Sequence, residues 1–249
     1  MALPPELGIM GRELLAFAKQ ASLLHKDVAR PVVPRDLKTG ADVVVVLHGL
    51  FATAGVMRPM RRKLDRHPCV ETASLTYPPG PGIEVLASRL GSLLETLPAD
   101  VRIHLVGHSA GGIVVRYYAQ HVAPPGRVVQ TISMASPFAG VRPAGLARWF
   151  SPAATVVRDL APQSAILREL RLQSTDSDIP HLSILAENDT VIGRPTSHAL
   201  VGGDVVLVRA CGHNAVLYHP EATAAVEARI VKAPRDDRAP VEDQAPVKG

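Results

Sequence analysis

One serine in the middle of the chain lies in a pattern that can make it a nucleophile. An apolar run at 101–106 leads into Gly-x-Ser-x-Gly at 107–111, and a helix-compatible stretch follows. That order is typical of a nucleophile elbow, a sharp strand-to-helix turn that holds a serine at its apex in a strained conformation. The two glycines let the strand and the helix pass closely. We therefore predict an exposed hydroxyl on Ser109, beside the N–H groups that begin a helix.

A serine hydroxyl needs a base to take its proton, and the base needs a carboxylate that holds its tautomer and stabilises its charge. In folds built around a nucleophile elbow, the chain order is serine, acid, histidine. Asp189 follows an apolar run at 182–186, and His213 follows another at 205–208. Because both residues come just after predicted strands, we expect them to meet Ser109 at the carboxyl edge of a sheet.

Three other acidic residues compete with Asp189. Glu187 lies only two residues away and is the main alternative. Asp178 precedes one predicted strand and Asp204 begins another, so both would lie at the opposite edge of a parallel sheet. The sequence therefore favours Asp189 as the acid, with Glu187 left open.

The base also has competitors. His198 precedes the last predicted strand, and His219 lies where the final predicted helix begins. His104 falls within a strand and is interpreted as a packed or hydrogen-bonded core residue. These positions favour His213, with His198 and His219 as the alternatives.

An activated serine also requires N–H donors for the charged oxygen of the tetrahedral intermediate. One predicted donor is the backbone of Ala110, directly after the serine. The other is the backbone of Leu50, in a loop where Gly49 lets the chain turn toward the site, and Phe51 is its alternative. Five residues are predicted to face the substrate: Phe51, His108, Phe138, Trp149 and Val191. His108, the variable residue of the elbow, also fits a structural role.

Strands and helices alternate along most of the chain. The strands are predicted from apolar runs at 43–47, 70–76, 101–106, 128–134, 182–186 and 205–208. Helical patterns fall at 53–66, 83–97, 110–122 and 219–232. This predicts an α/β fold with about six mostly parallel strands and helices on both faces. No strand pattern appears over about 138–178. We interpret this segment as a helical insertion that either forms a cap or lid and lines an acyl slot, or packs on the sheet.

The two ends of the chain differ from this catalytic domain, which we predict over 41–232. Residues 1–40 contain a connector and an amphipathic helix with one apolar stripe: Leu7, Met10, Leu14, Phe17, Ala21 and Leu24. We interpret the stripe as the face that packs on the main body, because the alternative, contact with lipid, lacks an opposite face rich in Lys and Arg. Residues 233–249 are polar without periodicity, which is typical of a disordered tail.

These motifs together resemble the α/β-hydrolase superfamily, and within it the bacterial lipases and esterases. The resemblance covers the chain from about Val43 to the final helix. Its carriers are VLHGL at 46–50, LVGHSAGG at 105–112, ASPFAG at 135–140, ENDTV at 187–191 and GHN at 212–214. It implies an α/β-hydrolase fold and a serine carboxylic-ester hydrolase, a lipase or esterase that forms an acyl-enzyme on Ser109. A thioesterase, phospholipase or acyltransferase with the same triad is the alternative, and a non-catalytic binding protein is a third.

Composition narrows the choice of partners. The 249 residues suit one large domain, and the net charge of +4 is spread along the chain rather than gathered in a run, so nucleic acid is not expected. No dinucleotide fingerprint, P-loop or metal motif is present, so we expect no cofactor, and no ligand set for calcium is legible. Cys69 and Cys211 lie far apart and predict two thiols rather than a disulfide framework.

The expected partner is a small-molecule or lipid ester, with peripheral contact to lipid interfaces. No apolar run approaches the roughly 18 residues that span a membrane. The first residues do not read as a signal peptide, so the expected location is cytoplasmic, or secreted if a signal has been removed. Oligomeric state is left open.

Overall fold

The computed structural model describes residues 8–34, 37, 41–142 and 154–233. Its strands form one sheet in the order β2-β1-β3-β4-β5-β6, and every neighbouring pair is parallel. The strands are β1 (Asp42–Leu47), β2 (Val70–Ala73), β3 (Arg102–His108), β4 (Val128–Met134), β5 (His181–Ala186) and β6 (Asp204–Val208). The prediction of an α/β fold with six strands is confirmed, and within the described residues the sheet is wholly parallel.

Seven α-helices accompany this sheet in the described part of the chain. They are α1 (Ile9–Leu23), α2 (Arg58–Leu64), α3 (Ile83–Leu94), α4 (Ala110–His121), α5 (Thr155–Asp159), α6 (Ala165–Leu172) and α7 (Pro220–Val231). The single helix predicted over 53–66 is divided into a 3₁₀ turn at Ala54–Met57 and α2. The strand predicted over 70–76 ends at Ala73, after which Ser74 forms an isolated antiparallel bridge with Val32.

The sheet is covered on both faces, and β1 shows how. Val43, Val45 and Leu47 pack with α3 and α4 on one face. Val44 and Val46 pack with α1, α2 and α7 on the other. All five side chains have no exposed surface. A strand buried on both faces needs no polar alternation, which is why it appears in the sequence as a continuous apolar run.

The strand order reverses at β1, the second of the six strands, which lies between β2 and β3. Successive crossovers run in opposite directions from this point, so the loops after β1 and β3 diverge and leave a crevice beyond the carboxyl ends. The predicted nucleophile follows β3, and the predicted oxyanion loop follows β1. The topology therefore brings these two segments together at the crevice.

The described part of the insertion between β4 and β5 packs against the body. Val156, Leu160, Leu167 and Leu170 are buried in the same core cluster as α3 and α4. The Asp159 carboxylate also accepts a hydrogen bond from the Ile83 N–H at 2.8 Å, at the start of α3. Of the two interpretations of the insertion, packing on the body of the domain agrees with the burial of these residues. Residues 143–153 lie outside the described part of the chain.

The face of the N-terminal helix α1 that packs on the body is not the apolar face that the sequence predicted. The Met10, Leu14 and Phe17 side chains of its apolar stripe are 85%, 70% and 61% exposed, whereas Ala16 is fully buried. The expectation that the stripe packs on the body is therefore wrong. On the inner face, Ala16 permits close approach, Leu23 packs against the core, and Lys19 lies 4.1 Å above the ring of Tyr218.

Among the helices of the described residues, none combines the length and the apolar character that a membrane span requires.

This orientation of α1 predicts that substitutions on its two faces change the free energy of unfolding by different amounts. We expect Ala16→Leu to lower the free energy of unfolding by about 1–3 kcal/mol, because the added atoms have no room. We expect Phe17→Ser to change it by less than about 0.5 kcal/mol, because that side chain already faces solvent. Urea unfolding of both variants measures the two effects, and the reverse ranking would show that the apolar stripe is the packing face.

Candidate active site

The Ser109 turn has the strained geometry of a nucleophile elbow. Ser109 has φ 53° and ψ −126°, a conformation that a residue with a side chain rarely adopts. Its N–H donates to the Met134 carbonyl at 2.8 Å, which ties the turn to the neighbouring strand. A Cβ on Gly107 would lie 2.3 Å from the Gly111 carbonyl carbon, and one on Gly111 would lie 2.5 Å from the His48 carbonyl oxygen. Both glycines are thus required by backbone-to-backbone approach.

Ser109, His213 and Asp189 form one hydrogen-bonded chain. The Ser109 Oγ lies 3.1 Å from His213 Nε2, and His213 Nδ1 lies 2.7 Å from Asp189 Oδ2. Because Asp189 accepts at Nδ1, the proton of a neutral imidazole resides there and Nε2 is left free to accept the serine proton. The three residues follow β3, β5 and β6, and each lies at the carboxyl edge of the sheet as predicted.

The Asp189 carboxylate is held on both oxygens. Its Oδ1 accepts from the Val191 N–H at 2.8 Å and the Ile192 N–H at 3.0 Å, while Oδ2 faces His213. Burial alone would raise the pKa of Asp189, but the bond to His213 and the two N–H donors outweigh it, so the pKa lies below its usual value. The residue is therefore ionised wherever a histidine base operates.

The competing acids lie elsewhere. Glu187 is exposed, and its Oε2 accepts from the Ala210 N–H at 2.9 Å on the outside of the loop. Asp204 begins β6 and pairs with Arg229 at 2.7 Å. Asp178 is an exposed residue that precedes β5. Of the four acids considered, the structure brings Asp189 to His213.

Two of the other histidines, His198 and His104, have structural hydrogen-bond partners. His198 bridges two loops, since its Nε2 donates to the Ile192 carbonyl at 2.9 Å and its Nδ1 accepts from the Ala139 N–H at 3.2 Å. His219 precedes α7 at its N-cap position. His104 is buried between the Asp42 carboxylate and Gln130, as its core interpretation predicts.

The loop after β1 lies directly against the nucleophile. A Cβ on Gly49 would be 3.0 Å from the Ser109 Cβ, so the backbone that precedes Leu50 touches the elbow. Ala110 is the first residue of α4, and its N–H has no carbonyl within the helix to donate to. Phe51 has a positive φ of 59°, which turns the chain sharply after Leu50. Both predicted oxyanion donors therefore border the serine.

Two residues that the sequence analysis did not weigh as partners hold this loop in place. His48 and Tyr77 stack with ring centroids 4.1 Å apart, and the Tyr77 hydroxyl donates to the His48 carbonyl. His48 donates from Nδ1 to the Gly49 carbonyl at 2.6 Å, and burial lowers its pKa to about 4. A neutral His48 thus stabilises the bend at Gly49. Tyr77 lies in a Pro- and Gly-rich stretch, where no periodic signal marks a buried aromatic residue.

His108 lies beneath the base rather than toward a substrate. It is buried, and its Nε2 donates to the His213 carbonyl at 2.9 Å. Burial, followed by the charge of His213, lowers the pKa of His108 to about 3, so the ring stays neutral and Nε2 carries the proton. The structural interpretation of His108 agrees with this placement, and the substrate-facing one does not.

The other four substrate-facing candidates fall in three settings. Phe51 and Val191 are 45% and 46% exposed and flank the triad, one after the oxyanion loop and the other beside Asp189. Phe138 is fully buried with its ring edge-on to His181 at 5.5 Å, which places it in the core and not on an open surface. Trp149 lies outside the described residues.

Among the described residues, no group of three or more His, Cys, Asp or Glu side chains is arranged to hold a metal ion. Cys69 and Cys211 are both free thiols, one exposed and one buried. The hydrogen-bonded chain from Asp189 through His213 to Ser109 is an arrangement that can activate a hydroxyl.

Comparison with known proteins identifies a family and several structures that the chain resembles. The sequence model of a family described as palmitoyl protein thioesterase matches residues 43–168, about half of the chain. Among solved structures, the mature lipase BlEst2 of Bacillus licheniformis has a TM-score of 0.61 and 14% identity, with 81% of this chain and 97% of that chain covered. No curated protein matches the chain.

Two further structures extend the likeness. One, from work on the metagenome-derived lipolytic enzymes LipS and LipT, has a TM-score of 0.62 at 16% identity and covers 82% of this chain and 98% of its own. Carboxylesterase CesB of Bacillus subtilis has a TM-score of 0.55 at 14% identity, with coverage of 90% and 97%. At such identities the likeness shows the fold, which is that of the α/β-hydrolases.

The close backbone approach at the elbow predicts an unusual response to a glycine substitution. In Gly111→Ala the new Cβ would meet the His48 and Leu47 carbonyl oxygens at 2.5 and 2.8 Å. We expect the free energy of unfolding to fall by about 1–3 kcal/mol, although alanine normally favours a helix. Gly91→Ala in α3 is the matched control, because its Cβ first meets the Tyr118 ring at 3.3 Å. Equal effects in urea unfolding would contradict the argument.

The lowered pKa of Asp189 predicts a pH-dependent contribution to stability. The ionised form contributes above the unfolded-state pKa, about 3.9, and the contribution is lost as pH falls through the lower folded-state pKa. The stability of the parent relative to Asp189→Asn should therefore decrease below about pH 4. Asp159→Asn is the control of opposite sign, because burial raises the pKa of Asp159 and the parent should gain stability over that variant on acidification. Urea unfolding from neutral pH downward measures both trends, and parallel slopes would refute them.

Proposed function

The chain belongs to the palmitoyl protein thioesterase family, and from this we propose that it is a serine hydrolase of acyl esters and thioesters. The observation that carries the proposal is the contact of 3.1 Å between Ser109 Oγ and His213 Nε2, with Asp189 on the opposite nitrogen. A base that is both free to accept and oriented by a carboxylate is what a serine nucleophile requires.

In the proposed acylation step, Ser109 Oγ attacks the carbonyl carbon of the substrate while its proton moves to His213 Nε2. The carbonyl π electrons move to the oxygen, where the N–H groups of Ala110 and Leu50 are proposed to hold the oxyanion. When the C=O bond reforms, the bond to the leaving alcohol or thiol breaks. The leaving group takes the proton from Nε2, and the acyl group stays on Ser109.

Deacylation repeats the same proton path with water. His213 Nε2 takes a proton from a water molecule as its oxygen attacks the acyl carbon, and the new oxyanion forms in the same place. Collapse breaks the bond to Ser109 Oγ, which recovers its proton from Nε2 and releases the carboxylic acid. Throughout, ionised Asp189 stabilises the imidazolium that forms transiently.

The family match favours thioesters as a second substrate class beside the simple carboxylic esters. A thiol has a pKa near 8.5 and leaves readily as a thiolate, so its departure depends less on proton donation by His213 than the departure of an alcohol does. Both substrate classes use the same nucleophile, base and oxyanion donors. We expect their relative rates to report on the leaving-group side of the site.

The acyl chain is proposed to lie over the exposed edge of the crevice. Phe51 and Val191 border the triad and offer half-exposed apolar surface, and they are the contacts that this geometry favours. Trp149, in the insertion, remains a candidate contact from the sequence. The expected lipid or small-molecule ester partner, and peripheral contact with lipid interfaces, belong to the same proposal.

A substrate series with a nucleophile variant tests this function. We expect the parent to hydrolyse p-nitrophenyl esters from acetyl to palmitoyl together with a palmitoyl thioester. In Ser109→Ala, kcat should fall by about 10⁴- to 10⁶-fold on both ester and thioester, because no oxygen remains to form the acyl-enzyme. The chain length at which kcat/KM peaks identifies the depth of the acyl site.

The matched control is Ser136→Ala, a buried serine outside the triad whose hydroxyl donates to the Met134 carbonyl. The Ser136→Ala variant should still hydrolyse the esters and the thioester. A parent without activity on any member of the series, or a Ser109→Ala variant as active as the parent, would refute the proposed function.

A further inference from the structure

The inner face of α1 contacts the loop that carries the proposed base. Glu13 Oε1 accepts from the Asn214 N–H at 2.8 Å and from the Asn214 side-chain amide at 2.7 Å. Its Oε2 accepts from the Ala215 N–H at 3.0 Å. About two turns further along α1, Gln20 donates to the Asn214 side-chain oxygen at 2.9 Å. One helix thus makes four hydrogen bonds to the two residues that follow His213.

These bonds hold the peptide unit that joins His213 to Asn214. Its carbonyl oxygen accepts from His108 Nε2 at 2.9 Å, on the side of the elbow. Its N–H donates to Glu13 Oε1, on the side of α1. A peptide group that is hydrogen-bonded at both ends has a fixed plane, and the Cα of His213 belongs to that plane. The direction of the imidazole toward Ser109 is therefore set from two sides.

The carboxylate of Glu13 also satisfies donors at the start of a 3₁₀ turn. Asn214 and Ala215 lie at the start of the 3₁₀ turn Ala215–Tyr218, where the first N–H groups have no carbonyl within the turn. Ala215 is fully buried. At Gly212 a Cβ would lie 2.5 Å from Glu13 Oε2, so the loop presses directly on the carboxylate. Loss of Glu13 would leave buried donors unpaired, and the loop would move to find water.

We propose that Glu13 is a positioning residue for His213, supplied by a helix that precedes the family-matched segment 43–168. This inference rests on the proposed function, since it assigns a role in setting the base of the Ser109 triad. Glu13 touches neither substrate nor the reacting atoms. It acts by keeping His213 Nε2 within reach of Ser109 Oγ, and Gln20 supports it by orienting Asn214.

The test compares three variants of the full chain, Glu13→Ala, Glu13→Gln and Leu14→Ala. Glu13→Ala removes all three acceptor contacts. Glu13→Gln retains a carbonyl oxygen for Asn214 but places an N–H₂ against the Ala215 N–H. Leu14→Ala is the matched control, because the adjacent side chain is 70% exposed on the outer face of the same helix.

Active sites are counted by labelling Ser109 with a fluorophosphonate, and kcat is expressed per labelled site. We expect kcat in Glu13→Ala to fall about 10- to 100-fold with KM nearly unchanged, because a base displaced by about 1 Å loses rate without loss of binding. The rate of fluorophosphonate labelling should slow to a similar extent. Glu13→Gln should lie between Glu13→Ala and the parent, and Leu14→Ala should match the parent.

Amide hydrogen exchange gives a readout that does not depend on activity. Protection of the Asn214 and Ala215 amides should be lost in Glu13→Ala and kept in Leu14→Ala. If kcat per labelled site is unchanged in Glu13→Ala, or if protection persists, the positioning role is refuted while the proposed function stands. If the parent is neither labelled at Ser109 nor active on esters and thioesters, the proposed function fails, and the role of Glu13 in catalysis fails with it.

Discussion

The contact on which the rest of this structure depends is the backbone-to-backbone approach of β3, the loop after β1 and the start of α4. Gly107 and Gly111 leave no space for a Cβ, so the three segments meet at distances that only bare backbone permits. This approach forces the positive φ of Ser109 and brings the Gly49 loop against it. The cost of a strained residue, of order 1–3 kcal/mol, is offset by the packing of a sheet buried on both faces.

Two groups of hydrogen bonds hold the segments around this turn. His48 and Tyr77 hold the loop after β1, His108 holds the carbonyl of His213, and Val191 and Ile192 hold Asp189. Burial lowers the pKa values of His48 and His108, so these two rings stay neutral and act as fixed hydrogen-bond donors. The site thus contains several buried histidines, of which one faces a hydroxyl.

Much of the fold could be predicted from the sequence because a doubly covered parallel sheet has a strong signature. Continuous apolar runs marked the strands, and the Ser, Asp, His order placed each triad residue after its own strand. The choice between Asp189 and Glu187 rested on two residues of spacing. Only the structure separates them, because the turn that carries Val191 and Ile192 back to the carboxylate has no distinctive sequence signal.

Two features could not be predicted, and for different physical reasons. Periodicity identifies the apolar face of α1 but not the partner of either face, so the exposed stripe of Met10, Leu14 and Phe17 was assigned to the wrong side. The link between Glu13 and the His213 loop joins residues 201 positions apart. Polar contacts over such separations leave no local pattern, and a glutamate within a helix reads as a solvent-facing residue.

The long separation in sequence between Glu13 and the loop after His213 affects the order in which the parts of the candidate site are synthesised. During synthesis at roughly 5–20 residues per second, α1 leaves the ribosome on the order of 10–40 s before the residues it will hold. Until the final strand and the loop after it have emerged, the inner face of α1 has no partner for Glu13 and Gln20. The residues of the Ser109 turn, near the middle of the chain, are therefore synthesised well before the loop that carries the proposed base. Nascent chains therefore contain the serine before the residues proposed to activate it have been synthesised.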